Sequence, residues 1–169
     1  RGTETEDIAQ RIVDLLHSAV GDAPGQRLPL VIQLGIGKIP NAVADALVAS
    51  GLPVRGVWSE LFSDGVLRLY EAGLIQKGHG PFLRDRIVVG FVLGSRTLYE
   101  TMHDNPDFAV LPQEIVNDPA LIKHNDGMTS INSAIAISLT GEVSAATIKR
   151  HYYSDVGGQF DFALGASWA

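Results

Sequence analysis

Apolar residues alternate along the chain between strand-like runs and helical stripes. Leu28–Leu34 is a continuous apolar run interrupted only by Gln33, which is typical of a strand buried on both faces. The segment Gly35–Asn41 predicts a turn, and apolar residues at helical spacing then run from residue 41 to a stop at 51. A second apolar run, Val54–Trp58, predicts the next strand. The pattern therefore predicts a strand–helix–strand unit.

Helical spacing also predicts a helix at the amino terminus and another after the second strand. Thr3–Glu6 has the pattern of a capping box. The apolar positions that follow it at helical spacing are Ile8, Ile12, Leu15, Leu16 and Ala19. The segment Gly21–Arg27 predicts a loop. The helix predicted over Leu61–Leu74 begins near Ser63–Gly65, and its inner side carries Val66, Leu67, Leu69 and Tyr70.

The rest of the chain predicts shorter elements. We expect a loop at Lys77–Arg84, which contains His79. After it the pattern predicts a strand at Ile87–Leu93, a helix at Ser95–His103 and a strand at Phe108–Leu111. The strand at Ile87–Leu93 is expected to be bent or closely approached at Gly90. Short helical turns follow, and Ser130–Leu139 with Glu142–Ala146 predicts a hairpin around Thr140–Gly141. Together these elements predict a single α/β domain over residues 1–169.

Composition excludes several functions. The net charge is −6 and no Lys/Arg block exceeds two residues, so the sequence lacks the clustered basic residues of a nucleic-acid-binding protein. The chain has no cysteine, which excludes thiolate catalysis and agrees with a cytoplasmic location. No apolar run is long enough for a membrane span, and residues 1–10 lack the apolar core of a signal peptide. The histidines are scattered without ligand spacing and there is no GxSxG, so we expect neither a metal site nor a serine triad.

Glu60 is the first candidate for chemistry. The second predicted strand leads into Ser59-Glu60, and a helix-start signal follows at once. Open α/β sheets place their chemistry at the carboxyl ends of strands. We therefore predict that Glu60 is a catalytic nucleophile, although a surface glutamate in a strand–helix loop would show the same local pattern.

Two glycine turns are further candidates. Gly35-Ile36-Gly37 precedes a helix, where backbone N–H groups and the helix dipole favour a phosphate, and Lys38 and Asn41 would assist. The segment does not match the dinucleotide-binding motif GxGxxG, because residue 40, where the third glycine would stand, is proline. A tight structural turn explains the two glycines equally well. Asp155–Gln159 could present N–H groups to an oxyanion, but the local pattern favours a plain hairpin turn. Asn117 is explained locally as a turn residue before Asp118-Pro119.

Four segments taken together resemble one family. They are LVIQLGIGKIPNAV, VWSELFSDGVLRLYEAGLI, VNDPALIKHNDGMTSINSAI and YSDVGGQFDF, in that order from about Leu30 onward. This arrangement resembles the C-terminal half of the acetyl-CoA hydrolase/transferase family, which includes 4-hydroxybutyrate and acetate CoA-transferases. The resemblance implies a three-layer CoA-transferase-like α/β fold with a mainly parallel sheet and an active site between two halves.

The resemblance also implies a mechanism and its residues. Glu60 would attack an acyl-CoA thioester and then carry coenzyme A as a glutamyl thioester, from which CoA passes to a carboxylate; Asn117 would lie close to it. The implied contacts to coenzyme A, the CoA-linked substrate, are Gly37, Lys38, Ile39, Pro40, Asn41, Ile135, Ser154 and Gly158. An acyl-CoA hydrolase of the same family and a non-catalytic interaction domain are the alternatives.

The chain departs from the family in two respects. Asp155 stands where the family usually has glycine, which would strain the backbone if φ is positive there. The family's N-terminal half has no counterpart in these residues. We therefore expect that a preceding segment or a companion chain supplies the other half of the active site, and that the protein forms a homo- or hetero-oligomer.

Overall fold

The structure is a computed structural model that describes residues 3–20, 30–77, 80–149 and 151–169. The helices in these ranges are α1 (Glu4–Val20), α2 (Lys38–Ser50), α3 (Asp64–Glu71), α4 (Arg96–Met102), α5 (Gln113–Val116), α6 (Pro119–Ile122) and α7 (Gln159–Ser167). The strands are β1 (Val31–Leu34), β2 (Gly56–Phe62), β3 (Ile87–Val92), β4 (Phe108–Val110), β5 (Met128–Ile131), β6 (Ala136–Ile137), β7 (Val143–Ser144), β8 (Thr147–Ile148) and β9 (His151–Tyr152).

The main sheet has five parallel strands in the order β4-β3-β2-β1-β5. The chain moves outward from β1 to β4 through helical crossovers and then returns to place β5 on the free side of β1. Ligands of open α/β sheets bind outside the carboxyl ends of the strands, near the point where the strand order reverses. The strands β6 and β7 form a separate antiparallel pair, as do β8 and β9.

Both faces of this sheet are covered by helices. One apolar cluster contains residues of α1 to α4 together with Ile32, Val57 and Val89 of the strands. A second cluster on the opposite face contains Val116 of α5, Ile122 of α6 and Phe162 of α7, packed on Val31, Trp58 and Val88. The arrangement is a three-layer α/β fold with a parallel sheet, as the family resemblance implied.

The N-terminal helix has the predicted start but a different buried face. Thr3 and Glu6 form the reciprocal capping box, with Thr3 N donating to Glu6 Oε2 at 2.7 Å. The buried residues of α1 are Ala9, Val13 and Leu16, whereas Ile8 and Leu15 are exposed. The predicted apolar stripe was therefore wrong at Ile8 and Leu15, because α1 packs against α2 through the face that carries Ala9, Val13 and Leu16.

Several other predicted boundaries are corrected. The helix α2 begins at Lys38 and not at Asn41, because Pro40 lies in the first helical turn, where its missing N–H costs nothing. The strand β2 runs to Phe62, past the predicted end at Trp58, so Glu60 lies inside the strand. Residues 130–131 belong to β5 of the main sheet, while the predicted hairpin around Thr140–Gly141 is present as β6–β7.

The carboxyl-terminal segment differs most from its prediction. The residues after the Gly-Gly turn form the helix α7 and not a strand, with Phe162 buried against the sheet layer and Phe160 exposed. The predicted close approach at Gly90 is confirmed, as shown below. The predicted loop 21–27 and His79 lie outside the described residues. Within the described ranges, no helix is long and apolar enough to cross a membrane.

Candidate active site

Glu60 is the charged residue of the buried strand β2. Of the seven residues of β2, the other six are buried and Glu60 is partly exposed. Trp58, two positions earlier and on the same face, anchors α5 because its indole Nε1 donates to Val116 O at 2.9 Å. The strand therefore holds Glu60 rigidly and, through Trp58, fixes the helix that faces it.

Asn117 meets Glu60 at the end of α5. The amide Nδ2 of Asn117 donates to Glu60 Oε1 at 3.3 Å, across 57 positions of sequence. Asn117 Oδ1 is enclosed and has no hydrogen-bond partner in the described part of the chain. The cap of the following helix α6 is Asp118, which accepts from Ala120 N at 2.8 Å. The local interpretation of Asn117 as only a turn residue is therefore incomplete.

Gly158 supplies the second donor to Glu60. Its backbone N–H donates to Glu60 Oε2 at 3.2 Å, and Gly158 is the N-cap residue of α7. Its φ is −73°, so the reason for glycine is space and not conformation. A Cβ at this position would lie 2.5 Å from Asn117 Nδ2 and 2.8 Å from Glu60 Oε2. The turn is a helix start beside the carboxylate, and the hairpin favoured by the local pattern is wrong.

The first glycine loop leaves the sheet next to this site. Ser59, adjacent to Glu60, donates through Oγ to Leu34 O at the end of β1, at 3.4 Å. Gly37 is the N-cap of α2 with φ of 128°, a conformation that glycine adopts without strain. No side chain caps the start of α2. Lys38 is exposed, and Asn41 packs its amide oxygen close to Gly65 at the start of α3.

An amide cluster that the sequence did not reveal supports this loop. Gln33 is buried in β1, and its Oε1 accepts from Ser130 Oγ at 2.7 Å and from Asn132 Nδ2 at 3.0 Å. Gln33 Nε2 donates in return to Asn132 Oδ1 at 3.1 Å. A Cβ at Gly35 would lie 2.6 Å from that same Asn132 oxygen. The cluster ties the carboxyl ends of β1 and β5 together beneath the glycine loop.

The structure does not bring Ile135 or Ser154 against Glu60. Ile135 is exposed at the base of the β6–β7 hairpin, where its N–H donates to Ser144 O at 2.8 Å. Ser154 is exposed, and its Oγ donates to Ala145 O at 3.4 Å. Asp155 is also exposed and is not among the residues with positive φ, so the expected strain at Asp155 is absent.

Gln113 is the residue of this site that the sequence analysis missed. It precedes Asn117 by one helical turn, and Asn117 N donates to Gln113 O at 2.8 Å. Its amide covers Gly90 of β3, where a Cβ would lie 2.5 Å from Gln113 Cδ. The flanking pairs Ser59–Val89 and Leu61–Phe91 place Gly90 opposite Glu60. A glutamine in a short polar segment carries no periodic signal, so its position follows only from the strand pairing.

Among residues 3–20, 30–77, 80–149 and 151–169, no group of three or more histidine, aspartate or glutamate side chains is arranged to hold a metal ion. The Glu60 carboxylate accepts one hydrogen bond from a side-chain amide and one from a backbone N–H.

Comparisons with known proteins place the chain in a family. A family model described as the acetyl-CoA hydrolase/transferase C-terminal domain matches residues 94–169. The 4-hydroxybutyrate coenzyme A transferase of Clostridium kluyveri is 40% identical over 136 residues, which cover 80% of this chain and 31% of the relative. The chain belongs to the acetyl-CoA hydrolase/transferase family. The family predicted from the four segments is thus confirmed.

Relatives in the acetyl-CoA hydrolase/transferase family differ in their named activities. The probable butyrate:acetyl-CoA coenzyme A-transferase of Syntrophomonas wolfei is 37% identical over 80% of this chain. The acetyl-CoA hydrolase of Candida albicans is 24% identical over 96% of it. The chain spans 31% and 30%, respectively, of the length of the C. kluyveri and S. wolfei relatives.

Solved structures of similar proteins share the fold. RipA from Yersinia pestis superposes with a TM-score of 0.84 at 30% identity, covering 100% of this chain and 36% of that one. The 4-hydroxybutyrate CoA-transferase of Porphyromonas gingivalis gives a TM-score of 0.75 at 29% identity, covering 99% and 37%. The CoA-transferase-like α/β fold is therefore confirmed.

Proposed function

We propose that this chain is the catalytic-glutamate part of a CoA-transferase, with Glu60 as the nucleophile. The observation that carries the proposal is the pair of donors on the Glu60 carboxylate, Asn117 Nδ2 at 3.3 Å and Gly158 N at 3.2 Å. Two fixed donors on a strand-borne carboxylate orient it for attack and are placed where an oxyanion would develop during the reaction. The names of the relatives support the reaction class.

The chemistry suits a carboxylate. One Glu60 oxygen attacks the thioester carbonyl, the C–S bond breaks, and a mixed anhydride and free CoA thiolate result. The thiolate then attacks the glutamyl carbonyl, which releases the first carboxylic acid as its carboxylate and leaves a glutamyl-CoA thioester. An acceptor carboxylate reverses these steps and leaves as the new acyl-CoA. In the tetrahedral intermediates on the glutamyl carbon, the donor that faces the negatively charged oxygen, Asn117 Nδ2 on the Oε1 side or Gly158 N on the Oε2 side, would stabilise it.

Coenzyme A would approach from the β1 side of Glu60. The start of α2 is exposed and has no side-chain cap, so its backbone N–H groups and helix dipole are suited to a phosphate of the CoA moiety. Lys38 adds a positive charge at the same place. We assign CoA contacts to Gly37, Lys38, Ile39, Pro40 and Asn41 on this basis.

Ile135 and Ser154 are proposed as CoA contacts further along the molecule. Both lie on the exposed arm that the β6–β7 and β8–β9 pairs form after the main sheet. This arm presents an unusual number of exposed apolar side chains, namely Ile135, Ile137, Leu139, Val143, Ile148, Tyr152, Tyr153 and Val156. Contiguous exposed apolar surface marks an interaction site. We propose that the remaining length found in the relatives, as a preceding segment or a companion chain, packs on this arm and completes the site.

A transfer assay tests the proposed function. The full-length protein that carries this chain, with any companion chain, is incubated with butyryl-CoA and acetate, and acetyl-CoA is followed by chromatography. We expect transfer by the wild type and its loss in Glu60→Gln, since an amide of the same shape is not a nucleophile. Glu71→Gln, at an exposed position on α3, is the matched control. Transfer that survives Glu60→Gln would overturn the proposal.

The same assay separates a transferase from a hydrolase. A transferase releases little CoA unless acetate is present, whereas a hydrolase releases CoA from butyryl-CoA with water alone. The presence of acetyl-CoA hydrolases among the relatives makes this second activity the alternative. We expect acetate to be required.

A further inference from the structure

The amide of Gln113 and Gly90 form a closely fitted pair beside Glu60. A Cβ at Gly90 would come within 2.8 Å of Gln113 Nε2 and 2.5 Å of Gln113 Cδ, with the amide oxygen nearer still. Gly90 lies opposite Glu60 on the neighbouring strand, and adjacent strands are about 4.8 Å apart. The absence of a side chain at Gly90 therefore lets a glutamine amide occupy the space next to the proposed nucleophile.

This amide lies on the far side of Glu60 from the proposed CoA loop. The loop follows β1, on one side of β2, whereas Gly90 belongs to β3, on the other side. A thioester that reaches Glu60 with its CoA portion over β1 extends its acyl chain toward β3. Gln113 is thus placed at the acyl end of the substrate.

The hydrogen-bonding capacity of Gln113 is unused. Its Oε1 is enclosed and has no partner among the described residues, whereas its Nε2 makes no hydrogen bond to them and is not enclosed, so it can donate to a bound molecule. Asn117 Oδ1, one helical turn away on the same helix, is also enclosed without a partner. Enclosing an amide oxygen without a partner is unfavourable, and an apolar side chain would fill the same space without that cost. A polar group at this position is therefore explained by a ligand that pairs with it.

We infer that Gln113 is a specificity-determining residue that contacts the acyl group and favours acyl chains with a hydrogen-bonding substituent over plain alkyl chains. The inference rests on the proposed function, because it takes Glu60 as the nucleophile and β1 as the CoA side. A site built to pair with a substrate hydroxyl discriminates against the chain that lacks it, because the amide is then left unpaired.

A matched pair of substrates tests this inference. The full-length protein, with any companion chain, is assayed with butyryl-CoA and with a hydroxybutyryl-CoA of the same chain length, each with acetate as acceptor. Gln113→Met keeps the length of the side chain and removes its hydrogen bonding. We expect kcat/KM for the hydroxylated substrate to fall about tenfold while that for butyryl-CoA changes less than about threefold. Glu114→Gln, the exposed neighbour on α5, is expected to change neither.

The outcomes are distinguishable. Equal changes in kcat/KM for both substrates, or none, would overturn the role of Gln113 and leave the proposed function standing. Absence of transfer by the wild type from either substrate would overturn the proposed function and this inference with it. A thermal unfolding midpoint for Gln113→Met at or above that of the wild type shows that a selective loss does not come from misfolding, since the variant removes an enclosed amide oxygen that has no partner.

Discussion

Asn117 donates a hydrogen bond of 3.3 Å to the carboxylate of Glu60, from the end of a helix of four residues to the middle of a buried strand. The contact is maintained by Trp58, which fixes the position of that helix through Val116. A carboxylate that must attack a thioester is thereby held in one orientation.

Removal of the Asn117 amide should slow transfer with little effect on folding. Loss of one donor to a developing oxyanion typically costs about 100-fold to 1,000-fold in kcat, so we expect a loss of that order in Asn117→Ala. Steady-state kinetics with butyryl-CoA and acetate measure it. The control is Asp118→Ala, which removes the cap of α6 and destabilises the fold by about 1 kcal/mol without touching Glu60. Equal loss of kcat in both variants would assign a structural role to Asn117.

Two adjacent glycines offer a sharper comparison. A Cβ at Gly158 would lie 2.5 Å from Asn117 Nδ2, whereas a Cβ at Gly157 would meet nothing within 4 Å. Neither residue has a positive φ, so alanine introduces no backbone strain at either position. Alanine keeps the backbone N–H, but its methyl group would displace Asn117 and Glu60, so we expect Gly158→Ala to lower kcat by about 100-fold or more, the size of effect that a misplaced donor causes, and Gly157→Ala to stay close to the wild type. Similar activities for the two variants would contradict the geometry of the site.

The buried face of α1 can be tested by a pair of alanine substitutions. Val13 is fully buried and Leu15 is 70% exposed. Deletion of buried methyl groups should make Val13→Ala less stable by about 1–3 kcal/mol, while Leu15→Ala should change the free energy of unfolding by about 0.5 kcal/mol or less. Urea unfolding followed by circular dichroism measures both. A larger effect at Leu15 would support the stripe predicted from the sequence and not the observed packing.

The contacts of Asp107 with Lys77 and Tyr70 should make the free energy of unfolding depend on pH in the acid range. The hydrogen bond from Lys77, followed by that from Tyr70, holds the pKa of Asp107 below its usual value of 3.8. Because the pKa is lowered in the folded state, the stabilisation is fully present above the unfolded pKa and is lost as the pH falls through the folded pKa. The side chains of Lys77 and Asp107 are 29% and 32% exposed, so the contribution is at most about 1 kcal/mol.

Asp107→Asn is expected to weaken the dependence of the free energy of unfolding on pH below about pH 4, the range in which an aspartate titrates. Unfolding by urea at a series of pH values, with the exposed Asp85→Asn as control, measures the difference. An unchanged slope in Asp107→Asn would show that the contact with Lys77 contributes nothing.

The elements predicted correctly from the sequence are those marked by a continuous apolar run, a glycine turn or apolar residues at helical spacing. The buried run of β1, the glycine turn before α2 and the inner face of α3 are local signals, because each depends on residues within about one element length. The strand β5 was not predicted as a separate element, and its last two residues were assigned to the hairpin, because Met128–Ile131 is short and half polar. The helix α7 was missed because its burial depends on tertiary packing, with Gly165 against Ile122 and Phe162 in the sheet-facing cluster.

Less of the candidate site than of the fold could be predicted from local sequence patterns. Glu60 was named from its place near the end of a strand, while Asn117 and Gly158 were assigned roles only through the resemblance to a family. The contacts from Asn117 and Gly158 to Glu60 join residues 57 and 98 positions apart, so no local sequence pattern indicates them. Gln113 could not be predicted, because its relation to Glu60 passes through Gly90 and the register of two parallel strands.

The central claim is that Glu60 forms a covalent bond with the transferred group. Its most direct test is to incubate the full-length protein, with any companion chain, with acyl-CoA, to trap the thioester with borohydride and to analyse the peptides by mass spectrometry. The account predicts that Glu60 is reduced to the corresponding alcohol in the wild type, and that the modification is absent without acyl-CoA. An unmodified Glu60 peptide from protein that is actively transferring CoA would contradict it.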